Sequence, residues 1–162
     1  MLVKKVIKLL LITTLSLFFI SNSFSIEPKD FVQQTVDKAA KALDQNLSKD
    51  LKISKLKVIA LKSVDIRGIG FYSLGKYRKN ISDQKKEEYL EIFTKYFLKT
   101  FSSRLAQYSD PKIIVNSQKK LNDKYTMVSS ILIATDDKPE VKIDWRVITE
   151  DPNNPLIIDL II

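Results

Sequence analysis

The chain contains no cysteine and no histidine, and only three glycines in 162 residues. Without those two side chains it can form no disulfide, no zinc site of the usual nitrogen and sulfur type, and no nucleophile activated by an imidazole. It also cannot carry a lipid on a mature N-terminal cysteine. Strong single-sign charge is missing as well. The 27 Lys and Arg against 19 Asp and Glu give +8 over one domain's length. Acidic residues interleave with the basic ones, as in Lys85-Lys86-Glu87-Glu88, which describes a solvated helix face and argues against a nucleic-acid partner.

What the sequence does have begins with an export pattern. Lys4, Lys5 and Lys8 precede the apolar stretch Leu9 to Ile20, and the small polar run Ser21 to Ser25 follows. This is the order of a cleaved signal peptide, with cleavage expected after Ser25. As a helix the stretch would reach about 18 Å, short of the roughly 30 Å of a bilayer's hydrocarbon layer, which disfavours a permanent anchor. Residues 1–25 are therefore expected to be removed and residues 26–162 to form a single domain outside the cytoplasm. That mature chain keeps 24 positive and 19 negative side chains.

Pro28 suits a helix start, and Phe31, Val32, Val36, Ala39, Ala40, Leu43 and Leu47 recur at helical steps, predicting one amphipathic helix over 28–47. A polar stretch, 48–54, separates it from a second short helix over 56–66. The glycines, Gly68, Gly70 and Gly75, crowd into eight residues and predict a corner between helices. Ser82 is placed to cap a long helix over 83–108, on which Tyr89, Leu90, Phe93, Tyr96, Phe97, Phe101, Leu105 and Tyr108 share one broad arc. Arg104 falls inside that arc, near the helix end, where a guanidinium can reach water, complement the helix C-terminus or face a phosphate.

Beyond Pro111 the period becomes extended. Strands are predicted over 112–117, 124–135, 141–149 and 156–162, broken by Asn122-Asp123, by 136–139 and by 150–155. The third alternates Val141, Ile143, Trp145 and Val147 with Lys142, Asp144 and Arg146, one face dry and one wet. Helices first and strands last predict an α+β fold, with an antiparallel four-stranded sheet whose dry face is covered by helices.

Two motif stretches carry a family resemblance. Val64-Asp65-Ile66-Arg67 leads to the corner Leu74-Gly75-Lys76-Tyr77, and Ser82 through Tyr89 opens the long helix. Together with the strands Val141 to Val147 and Ile158 to Ile162, this order resembles the MlaC, or toluene-tolerance, family. The family's helix-start proline and glutamine are replaced by Asp83 and Lys85, and Arg78 stands where an aromatic is frequent. Its Glu-Gly-Val-Ser continuation and terminal helices have no counterpart after Ile162, so the domain is expected to lack its C-terminal part.

The resemblance implies a non-enzymatic phospholipid shuttle without a cofactor. Its partners would be an outer-membrane lipoprotein complex and an inner-membrane MCE-domain ABC transporter, in a system that maintains outer-membrane lipid asymmetry. A lipid slot is then expected where the aromatic helix face meets the dry side of the sheet. The residues expected to line it are Leu74, Tyr77, Phe93, Phe97, Phe101, Leu105, Met127, Ile131, Trp145 and Val147, with Arg104 near the headgroup. Two other readings stay open from the sequence: an interaction protein with a filled core and no ligand, and an enzyme using Asp144 or Asp159 as acid and base.

Overall fold

The computed structural model describes residues 26–135 and 139–162. The expected export segment and most of the 136–139 turn lie outside the described residues. Among the described residues four helices precede four strands: α1 (Pro28–Ala42), α2 (Lys49–Ser63), α3 (Ile66–Ser73), a 3-10 turn (Gly75–Lys79), α4 (Asp83–Leu105), β1 (Ile113–Lys120), β2 (Tyr125–Leu132), β3 (Val141–Ile148) and β4 (Leu156–Ile161). The strands form one antiparallel meander in the order β1-β2-β3-β4. The α+β architecture expected from the sequence is the one observed.

Several boundaries differ from expectation, each for a local reason. Helix α1 stops at Ala42 instead of continuing to 47, because the Asp44 carboxylate accepts the Asn46 backbone N–H (2.8 Å) and offers the chain a turn in place of another helical bond. Helix α2 begins at Lys49, well before the apolar run, since Ser48 caps it by accepting the Leu51 N–H (3.4 Å). It ends at Ser63 because Val64 is extended and Asp65 caps a separate helix, α3, accepting the Gly68 N–H (2.8 Å). Gly75, at φ +53, turns the corner after α3 in a conformation that costs other residues strain. Ser82 caps α4 as anticipated, accepting the Lys85 N–H (3.3 Å).

Helix α1 lies on β1 and β2. Val32 and Val36 meet Val115, Val128, Val147 and Ile157 in one buried cluster, with Phe31, Val64, Ile113 and Trp145 packed around it. The polar end of α1 is fastened to the same face, where Gln118 accepts the Lys29 N–H (2.8 Å) and donates to Glu27 (2.9 Å). A second cluster forms from Ala42, Leu43 and Leu56 with Leu105, Ala106 and Tyr108 beside it, so it belongs to the helical side. The two halves are stitched where Val64 forms a parallel bridge to Ile157 and the Asp65 N–H donates to the Ile157 carbonyl (2.9 Å).

Candidate functional site

The long helix takes α2 and α3 as its main neighbours, while the sheet is covered by α1. Of its aromatic residues Tyr89 and Phe93 meet α3, where a slot against the sheet was expected, and Tyr96 is left 66% exposed. On α4 the rings of Tyr89, Phe93, Phe97 and Phe101 stack at successive turns, with centroids 5.9, 6.2 and 5.4 Å apart. All four remain half-buried. The ladder is locked at its first rungs by α3. A side chain on Gly70 would come within 2.7 Å of the Phe93 ring and 3.1 Å of Leu90, so the missing Cβ is what admits the close approach. One turn on, the Ser73 and Tyr89 hydroxyls share a hydrogen bond of 2.8 Å.

Beside Leu90 opens a crevice of about 870 Å³. Its walls come from four places in the chain: the end of α2, the Val64–Arg67 junction, the Leu90–Lys95 turn of α4 and the start of β4. Val64, Ile66, Leu90 and Leu156 give it an apolar floor, Leu61 stands on its wall, and Lys62, Asp65, Arg67, Glu91 and Lys95 give it a charged rim. Arg67 is held by a two-pronged bond to Glu87 (2.9 and 3.0 Å), which keeps that carboxyl below its ordinary range and the guanidinium above its own. The volume is at the upper end of the roughly 300–1,000 Å³ found for small-molecule sites.

None of the ten residues expected to line a slot borders this crevice. Phe93 lies beside Leu90 of the crevice and continues into the stacked rings of Phe97 and Phe101, whereas Leu105 packs into the second cluster. Leu74 closes α3, and Tyr77 projects from the corner, 63% exposed. Val147 is fully buried in the α1–sheet cluster. Trp145 packs against that cluster and donates its indole N–H to Ser130 Oγ (2.8 Å). Met127 and Ile131 alternate with the inward Thr126, Val128 and Ser130, so they occupy the sheet face turned away from α1. Arg104 is exposed in the last turn of α4.

The two carboxylates considered for catalysis are committed elsewhere. Asp144 accepts from Ser129 Oγ (2.6 Å), and Asp159 pairs with Arg146 (3.3 Å), both on the face away from α1. Sequence reasoning missed the crevice residues because no local pattern joins them. The available signal was Val64-Asp65, a β-branched residue and a capping acid that interrupt an otherwise continuous helical stretch.

These features define an α+β fold with an open, partly apolar crevice, and the comparisons place it further. The fold is similar to that of the phospholipid-binding protein from Ralstonia solanacearum, solved in complex with a phospholipid, with a TM-score of 0.68, 16% sequence identity, and coverage of 85% of this chain and 78% of that one. Curated proteins gave no significant match. The family model for the MlaC protein matches residues 32–162, and the chain belongs to the MlaC family.

Proposed function

We propose that this chain is a periplasmic phospholipid carrier, exported by a leader removed after Ser25. It exchanges lipid between an outer-membrane lipoprotein complex and an inner-membrane MCE-domain ABC transporter, and it does no covalent chemistry. The observation that carries this reading is the crevice, with its apolar floor and charged rim, in a chain of this family. Leu61, Val64, Ile66, Leu90 and Leu156 offer contact to acyl chains, and Lys62 and Lys95 stand where a phosphate would leave the floor for water. The half-buried rings of Phe93, Phe97 and Phe101 extend the apolar surface along α4.

Energetics define what such a carrier must supply. Two chains of roughly 16 carbons, at about 0.8 kcal/mol per CH₂, would cost on the order of 25 kcal/mol if left in water. A shuttle has to offset most of that and yet release its cargo, so its interior should match the bilayer closely and leave direction to the partner.

The test is extraction of the protein, purified without detergent, with organic solvent and mass spectrometry of the extract. Stoichiometric phospholipid is expected. A folded protein that repeatedly yields none, and takes up none from vesicles, would reject the carrier and leave an interaction protein with a filled core.

A further inference from the structure

The corner between α3 and α4 presents a surface that the crevice does not use. From Ile66 through Ser82 the sequence has no carboxylate, yet it carries Lys76, Arg78 and Lys79 on a single 3-10 turn. None of these three cations is ion-paired among the described residues. The nearest acids along the chain are spent locally: Asp65 caps α3, and Asp83 pairs with Lys86 (2.8 Å).

Aromatic side chains share this corner. Tyr72 is 81% exposed, Tyr77 is 63% exposed and Phe71 is 38% exposed. Lys76 Nζ sits 5.7 Å from the Tyr77 ring centre, and the Arg78 guanidinium sits 5.7 Å from that of Phe71. Rings therefore take the place of acidic partners beside these cations. Large rings left in water cost free energy, and unpaired cations beside them favour a surface that is anionic outside and apolar just beneath. An acidic protein surface would answer the charge but would offer the two tyrosines less. The corner also leads directly to the apolar ladder, since Ser73 bonds to Tyr89, its first rung.

We propose that this corner is a docking site for the surface of an anionic phospholipid bilayer. Lys76, Arg78 and Lys79 meet headgroup phosphates while Phe71, Tyr72 and Tyr77 settle at headgroup depth. Seated this way, the protein holds the start of its aromatic ladder toward the membrane. The inference rests on the corner's own chemistry and does not require that the crevice holds lipid.

The experiment is flotation with phosphatidylcholine vesicles, with and without phosphatidylglycerol, using the processed chain isolated from cells with its N-terminus read by mass spectrometry. The wild type should float with the phosphatidylglycerol vesicles and not with phosphatidylcholine alone. Each basic residue near such a surface contributes about five-fold, so the triple variant Lys76→Gln, Arg78→Gln, Lys79→Gln should bind on the order of a hundred-fold more weakly. A control triple on exposed lysines of the sheet side, Lys112→Gln, Lys119→Gln, Lys142→Gln, changes net charge equally and should stay within about three-fold of the wild type, because screening confines the attraction to charges at the contact. Equal loss in both triples would reduce the effect to net charge and overturn the proposal, as would unchanged binding by the corner triple. Failure of the wild type to float, with binding to polyglutamate through the same cations, would overturn it in favour of an acidic protein partner. Bound phospholipid measured in the same preparations keeps the two readings apart: empty protein that still floats through the corner refutes the carrier alone.

Discussion

Helix α2 turns two leucines in opposite directions, and truncating each should separate stability from binding. Leu56 is 1% exposed among Ala42 and Leu43, whereas Leu61, little more than a turn later, is 57% exposed on the crevice wall. Leu56→Ala removes a fully buried side chain from a packed cluster, and such deletions cost about 2–5 kcal/mol once the cavity is included. For a domain this size each kcal/mol lowers the melting temperature by roughly 3–5 °C, so a fall of about 6–25 °C is expected. Leu61→Ser leaves no cavity, and its cost should stay within about 0.5 kcal/mol. In the carrier reading, however, it withdraws apolar contact from an acyl chain worth about 1–2 kcal/mol, lowering lipid affinity roughly five- to thirty-fold. Denaturant unfolding must be run on delipidated protein, because a bound ligand stabilises the native state by mass action. Lipid content is then measured on the same variants loaded from vesicles. The reasoning is refuted if Leu61→Ser unfolds as readily as Leu56→Ala, for the crevice wall would then be a packed seam. Unchanged lipid affinity in Leu61→Ser would separate the crevice from cargo.

Three further outcomes test the fold around the site. Trp145→Phe deletes the donor to the buried Ser130 hydroxyl and should cost about 1–2 kcal/mol in urea unfolding, with the Ser130→Ala, Trp145→Phe double variant losing less than the sum of the two. Gly75→Ala forces a Cβ into the left-handed region and should cost about 1 kcal/mol, of which Gly75→Asn recovers part, read by thermal melting. The Glu87 carboxyl is held below its ordinary value by its bond from Arg67, so its share of stability is present at neutral pH and disappears as the pH falls through its folded pKa. The difference in melting temperature between wild type and Glu87→Gln should accordingly be largest near neutrality, close on acidification and shrink in high salt.

The meander was legible because Val141, Ile143, Trp145 and Val147 alternate with polar residues, and turn formers such as Asn122 and Asp123 punctuate the strands. The long helix was legible from its Ser82 cap and its stacked aromatic spacing. Helix α2 was legible as a helix over 56–66 but not in its start or its buried face, since its apolar residues do not predict its burial: Leu51 and Val58 face solvent while Lys52 is buried. A lysine can lay its hydrocarbon stem along an apolar surface, so tertiary packing overrode the pattern. Which element would cover the aromatic arc was equally hidden. The arc fixes one face of α4, but the choice between sheet and helix as its neighbour depends on α1 already occupying β1 and β2. The crevice depends on Val64 bridging to Ile157 across 93 positions of sequence, a pairing no local window contains.

The divided interior has its own consequence for motion. Helix α1 sends Val32 and Val36 to one buried cluster, and Ala42 at its end, with Leu43 just beyond, to the other; the two clusters share no buried residue. Such a chassis can flex along the seam on its helical side while the valine-lined compartment under the sheet stays shut. Amide exchange should accordingly fall into two tiers, slow along the paired strands and faster around the Val64–Arg67 junction, so that opening for a guest need not begin to unfold the host.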